Sequence, residues 1–199
     1  MSVFINRTIN MKKIKMIGFD MDYTIVRYNT EAFERLTHKE TLQKLIKLKN
    51  YPKKIADLTF DFERSIQGLI IDRKRGHLLK ASRFGKVKEA YHGREPLDFK
   101  EMQNIYANRV IDLTAEQFQS LDTSFSISNG VLYQQLVQLK KDGLDLPDFQ
   151  NLAEDIKYAL DYCHADGTLK SEVAKNLESY IIKDPEVVKL LERYKDYGK

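Results

Sequence analysis

The chain has 199 residues, 42% hydrophobic and 31% charged, with a formal net charge of +4, the profile of a soluble globular protein. A single cysteine, Cys163, excludes an internal disulfide framework and suits a reducing cytoplasm, while no apolar run reaches membrane-spanning length and residues 1–12 lack a signal-peptide core. Lysines and arginines are scattered rather than massed, and zinc-ligand spacings, phosphate-binding glycine loops and RNA-binding motifs are missing, which argues against a nucleic-acid partner.

Residues 13–19 form a short, mostly apolar run, with apolar groups at 14, 16, 17 and 19. This pattern predicts a strand buried on both faces, as in parallel sheets. In such sheets chemistry collects just beyond the carboxyl ends of the strands, where Asp20 and Asp22 fall. Side chains at i and i+2 of extended chain point the same way, so both carboxylates face one site while Met21 turns inward. Two carboxylates that close repel, and need a cation, a proton or generous solvation. Mg2+, a hard ion with oxygen ligands, would settle the conflict and also bind a phosphate. The plainer alternative is a solvated Asp-x-Asp turn at the end of an ordinary strand.

Thr30 is placed to cap a helix over 31–50, with apolar groups at 33, 36, 42, 45, 46 and 48 and Pro52 at its end. Leu69-Ile70-Ile71, His77-Leu78-Leu79 and residues 87–91, separated by turns at Gly76 and Gly85, read as a three-stranded meander bounded by Gly68 and Gly93. A sheet so soon after a buried parallel strand predicts an inserted module. From residue 98 the pattern turns helical. Thr114-Ala115-Glu116-Gln117 is a capping-box signature for a helix start, and 128–141 a further helix ended by Gly143. A long helix follows over 148–165, stopped by Asp166-Gly167, and another starts at Thr168 or Ser171 with Val173, Leu177 and Ile181 on one face. Asp184-Pro185-Glu186 opens the last helix, with Val187, Leu190, Leu191 and Tyr194 as its apolar stripe and Gly198 at C′.

The 148–165 helix has a sorted surface. Leu152, Ile156, Ala159, Leu160 and Cys163 make an apolar stripe, while Lys157, Asp161 and His164, at i, i+4 and i+7, share another face. By spacing alone this triplet is a surface Lys–Asp pair with a neighbouring His.

Phe19-Asp20-Met21-Asp22-Tyr23-Thr24 resembles the first motif of the haloacid-dehalogenase-like phosphohydrolases, nearest to their cytosolic purine 5'-nucleotidase branch. The resemblance continues through Val3-Phe4-Ile5-Asn6-Arg7, the Gly68-to-Gly93 meander, Asp161 to His164, Gly167-Thr168-Leu169-Lys170 and Asn176-Leu177-Glu178-Ser179-Tyr180. It implies an α/β fold with a Rossmannoid core, of which the chain holds the first strand (1–27) and a returning helix (184–199). Between them lies a large inserted, mainly helical α+β cap with a small β-meander (28–183). It also implies hydrolysis of purine nucleoside monophosphates. Asp20 would be the nucleophile and Asp22 the general acid and base, with Mg2+ held by Asp20 and Asp22 and the base recognised by Lys157, Asp161 and His164. Lys157 stands where the family has Arg, and Ala165 where it has Tyr; lysine lacks the planar fork of arginine, and an aromatic for stacking is lost. The family's second, third and fourth motifs, a Thr or Ser, a Lys and an acid pair, are not in the chain. Residues 1–199 alone are therefore expected to bind Mg2+ and phosphate poorly, with Ile14, Met16, Ile17 and Phe19 lacking neighbours unless a carboxyl-terminal half or another copy supplies them. Two other readings stay open: a non-catalytic binding or regulatory module, and a phosphatase of another small metabolite.

Overall fold

The computed structural model describes residues 7, 8, 10–123 and 125–198, so residues 3–6 of the resemblance and the terminal Lys199 lie outside the described residues. In chain order the elements are β1 (Arg27–Tyr28), α1 (Thr30–Lys49), β2 (Leu69–Asp72), β3 (His77–Ala81), β4 (Val87–His92), β5 (Glu95–Pro96), α2 (Phe99–Tyr106), β6 (Phe118–Leu121), α3 (Ile127–Lys141), α4 (Phe149–Ala165), α5 (Thr168–Lys175), α6 (Leu177–Tyr180), β7 (Ile181–Ile182) and α7 (Pro185–Asp196). The chain is a mixture of helices with a small antiparallel sheet, and it divides into two compact units: Thr30–Asn176, and the segments that flank it.

In the Thr30–Asn176 unit the sheet has the order β5-β4-β3-β2-β6, antiparallel throughout. The meander forms where the glycine spacing places it. Gly76, at φ +75, closes the β2–β3 turn, and a Cβ there would lie 2.8 Å from the Phe149 ring; a side chain is excluded by both backbone and neighbour. Alternation along β2 serves two cores. Leu69 and Ile71 join Leu45, Leu132, Leu136 and Ile156 from α1, α3 and α4, whereas Ile70 joins Leu79, Ala90, Met102 and Tyr106 on the α2 side. With both faces covered, all four β2 residues are buried.

The helix expected from Thr114 is not formed. Residues 113–117 are turn and bend, and they lead into β6, whose Leu121 pairs with Leu69 and Phe118 with Asp72. The buried edge of β2 needs a second ladder for its N–H and C=O groups, and this long-range demand overrides a local cap signal. The helix expected after Thr168 is also interrupted. Asn176 (φ −148, ψ 70) ends α5, and Ile181 enters β7 instead of continuing the apolar face.

Three helices stack on one face of the sheet. α3 is central, every residue from Ile127 to Val137 being buried. Its N-cap Ser126 makes no side-chain capping bond; Glu34 of α1, fully buried, accepts from the Ser128 N–H instead. Burial raises the Glu34 carboxyl above its ordinary pKa. On α4, Leu152, Ile156, Ala159 and Cys163 of the predicted stripe are buried, and Asp148 caps the helix by accepting from the Asn151 N–H at 2.8 Å. No helix among the described residues is long and apolar enough to cross a membrane.

A polar network ties the sheet to α2. The Tyr106 hydroxyl donates to Asp72 Oδ2 at 2.7 Å and lies 2.8 Å from His77 Nδ1. Its one proton goes to the carboxylate, so His77 Nδ1–H must be the donor to the phenol oxygen. Burial first, and then the nearby His92, lower the His77 pKa from 6.5 to about 4. Between those values the unfolded chain binds a proton that the folded chain refuses. Stability from this ring is therefore complete above pH 6.5 and falls as the pH drops toward 4, by about 2–3 kcal/mol. Urea midpoints measured across this window should decline with acidification, and His77→Gln should flatten the slope. An unchanged slope would remove His77 from the account.

In the flanking unit the strand expected over residues 14–19 is not formed. These residues belong to no regular element; Met16 is 85% exposed, Phe19 and Met21 are exposed, and Ile14 and Ile17 are half-buried. A strand needs a ladder to a neighbour, and the described residues include no strand that pairs with residues 14–19. The ladder of this unit is antiparallel instead, between β1 and β7, pairing Arg27 with Ile182 and Tyr28 with Ile181. The start of α7 follows its sequence signature: Asp184 accepts from the Glu186 N–H at 3.2 Å, Pro185 sits at the first turn, and Gly198 adopts φ +67. Val187, Leu191 and Tyr194 of the expected stripe are only half-buried, and Leu190 is exposed.

Candidate active site

The backbone after Asp20 winds into a single tight turn. The Met21 carbonyl accepts from Thr24, Ile25 and Val26 N–H groups at 3.4, 3.1 and 2.9 Å, and Tyr23 N–H donates to the Val26 carbonyl at 2.9 Å. Closing that turn puts Tyr23 in the left-handed region at φ 56, a conformation that costs a non-glycine residue energy. The turn presents Asp20 and Asp22 to solvent, which relieves the repulsion between them. It also brings Tyr28 back beside the acids: its hydroxyl donates to Asp22 Oδ1 at 2.7 Å, and its ring lies 5.2 Å from that of Tyr23. Burial, and then the Asp22 carboxylate, push the Tyr28 phenol above its ordinary pKa. Tyr28 thus keeps its proton at neutral pH and acts as a fixed donor. It was not singled out in the sequence; its only signal is a tyrosine six residues past the second acid.

The donor set suits Mg2+. That ion is commonly bound by one or two carboxylates together with a substrate phosphate rather than by an all-protein cage. Asp20 and Asp22 supply two exposed carboxylates on an open turn, the type of donor such an ion takes.

On α4 the predicted triplet lies on the exposed face. Lys157 Nζ and Asp161 Oδ2 pair at 2.8 Å with both side chains 61% exposed, and His164 is exposed one turn further on. At that exposure the pair contributes only a few tenths of a kcal/mol. An aromatic platform that the sequence reading missed runs alongside. Tyr158 and Tyr162 stack with centroids 6.2 Å apart, and α1 sets Lys49 and Lys44 over their rings at 4.5 and 5.1 Å. Lys49 is held by Asp155 and Lys44 by Asp166. The i, i+4 spacing of the two tyrosines was visible in the sequence; the cations from α1 were not.

Comparison with known proteins bears on these features. A sequence model of the 5' nucleotidase family matches residues 3–199. A 5'-nucleotidase domain-containing protein of Dictyostelium discoideum is 26% identical over 201 residues, covering 99% of this chain and 34% of that protein. The 5'-nucleotidase domain-containing protein 2 of Rattus norvegicus is 25% identical over 213 residues, and that of Homo sapiens 24% over 212, each covering 100% of this chain. The alignments take in 38% and 40% of those two proteins, so the chain spans between a third and two fifths of the length of these relatives. With the match running almost from end to end and including the Asp20–Thr24 turn, the chain belongs to the 5' nucleotidase family.

Proposed function

We propose that the protein hydrolyses purine nucleoside 5'-monophosphates, by the haloacid-dehalogenase-like chemistry that its first motif resembles. The observation that carries this reading is the Asp20–Asp22 turn, two exposed acids of which one is held by Tyr28, in a chain of the 5' nucleotidase family. Asp20 attacks phosphorus in line. The bond from phosphorus to the ribose oxygen breaks, and that oxygen takes a proton from Asp22. Water then attacks the aspartyl-phosphate, Asp22 receives the water's proton, and phosphate leaves with Asp20 restored. Since Tyr28 occupies Asp22 Oδ1, Oδ2 is the oxygen that carries the shuttled proton. The Asp20 carboxylate and the Asp22 main-chain carbonyl would hold Mg2+, which would supply charge neutralisation at the phosphoryl group.

Lys157, Asp161 and His164 are assigned to the purine base. Tyr162, exposed beside Asp161 and stacked on Tyr158, offers aromatic surface close to the position where Ala165 replaces the family's Tyr. Asp161→Ala should raise KM for inosine monophosphate about tenfold or more, the scale of a lost hydrogen bond to a charged group. KM for a small base-free phosphomonoester should hardly move. Equal effects on both substrates would return the triplet to a surface role. That Lys157 already spends its charge on Asp161 favours a second reading, in which the substrate is a different phosphorylated metabolite.

A further inference from the structure

The turn between β3 and β4 meets the chain just past α2 at one end of the sheet. Ser82 Oγ accepts from the Phe84 and Lys86 N–H groups at 3.3 and 3.2 Å, and the Ile111 N–H donates to the Gly85 carbonyl at 2.9 Å. Gly85 has φ +72, and a Cβ there would lie 2.8 Å from Val110 Cγ1. The turn is thus fixed from both sides, yet it holds two apolar side chains out in water: Phe84 is 69% exposed and Val110 70%. The Arg83 guanidinium lies 4.6 Å from the centre of the Phe84 ring.

The charge around these two side chains is of one sign. Lys86 and Lys88 share a small recess with Gln103 and Ala107 at the end of α2, and Arg109 follows, its N–H donating to the Tyr106 carbonyl at 3.1 Å. Arg83, Lys86, Lys88 and Arg109 are all exposed, and among the described residues none of them enters an ion pair. Of the acids nearby, Glu89 is paired with Lys80 at 3.0 Å, while Asp98 and Glu101 belong to the opposite end of α2. Asp112 alone remains, and it accepts from the Thr114 N–H and hydroxyl at 2.9 and 2.7 Å. Four basic groups against one acid, set around two exposed apolar side chains, complement a negatively charged surface that also has an apolar layer beneath it.

We infer that the 83–86 turn and Val110 form a peripheral docking surface for an anionic phospholipid bilayer. Phe84 and Val110 enter the boundary between headgroups and acyl chains, and Arg83, Lys86, Lys88 and Arg109 lie against the lipid phosphates and carboxylates. A nucleic acid fits these residues less well. Val110 gains nothing on a phosphate backbone, and single-strand binding takes successive stacking rings along a basic groove, where this turn has one ring with Arg83 already over it. A contact of two apolar side chains and four charges is weak and reversible, as for a protein that visits a membrane rather than residing there.

The test is cosedimentation of the 199-residue chain with vesicles of phosphatidylcholine alone and of phosphatidylcholine with about 30% phosphatidylserine. Binding to the anionic vesicles is expected, falling as salt rises from about 0.1 to about 0.5 M. Phe84→Ala should weaken it by about tenfold or more, and so should Lys86→Glu combined with Lys88→Glu. Lys53→Glu with Lys54→Glu makes the same charge change at exposed residues outside the turn, and should stay within about twofold of wild type. No binding to anionic vesicles, equal binding to neutral ones, or equal losses in the two charge pairs overturns the inference. So does wild-type binding by Phe84→Ala. A single-stranded oligonucleotide that displaces the chain from the vesicles, with Phe84→Ala and wild type alike, overturns it too and makes the basic face a nucleic-acid site. All the substituted side chains are exposed, so circular dichroism spectra should match wild type in every variant.

Discussion

Asp20→Asn reduces kcat for phosphate release from inosine monophosphate by about 10³-fold or more, equivalent to about 4 kcal/mol of transition-state stabilisation. The amide has the shape of the carboxylate but no charge with which to attack phosphorus. Asp20 is exposed and sits on a turn held by main-chain bonds from Met21 and Tyr23, so the substitution should leave the fold intact. The assay belongs in the longest polypeptide that carries these residues, with Mg2+ present. Asp22→Asn should behave differently. It removes the proton donor, so the ribose leaving group suffers, whereas p-nitrophenyl phosphate, whose leaving group needs no proton, is largely spared in the first step. Near-normal turnover in Asp20→Asn, or equal damage to both substrates in Asp22→Asn, contradicts the assigned roles.

Asp72→Ala destabilises the Thr30–Asn176 unit by about 3–5 kcal/mol, the cost of stranding the partners of a buried charge. The carboxylate is fully buried and accepts from Lys74 N–H at 3.1 Å, Arg75 N–H and Arg75 Nη1 at 3.2 Å each, Gln117 Nε2 at 2.9 Å and the Tyr106 hydroxyl at 2.7 Å. Alanine leaves all these donors facing an apolar gap. Set against a typical domain stability of about 5–15 kcal/mol, the loss should lower the melting temperature by about 10 °C or more. Lys175→Ala, which removes an exposed ion pair with Glu172, is the matched control and should stay within about 0.5 kcal/mol. Thermal melts that place Asp72→Ala beside that control would show that the network does not hold α2 to the sheet.

Asp72 also shows where sequence reading stops. It follows Leu69-Ile70-Ile71 as one more residue of the meander, and nothing local marks it as an acceptor for groups as distant as Tyr106 and Gln117. Features specified by neighbours along the chain were legible: the buried stripe of α4, the Asp184-Pro185 start of α7, the glycine turns of the meander, and the i, i+4 reach of Lys157 to Asp161. Each depends on backbone geometry over a few residues, and the side chains there carry that geometry themselves. The acid pair at Asp20 and Asp22 was legible for the same reason, as a polar break after an apolar run. Contacts between distant segments decided the rest. β6 replaced a predicted helix because β2 required a second partner. Residues 14–19 form no strand among the described residues because a strand exists only with its neighbour, and the segment paired instead was Arg27–Tyr28, with Ile181–Ile182. Lys44 and Lys49 reached Tyr162 and Tyr158 through helix packing that no single stretch of sequence encodes. Periodicity and capping are local properties of a chain; register, pairing and the company a buried carboxylate keeps depend on the whole of it.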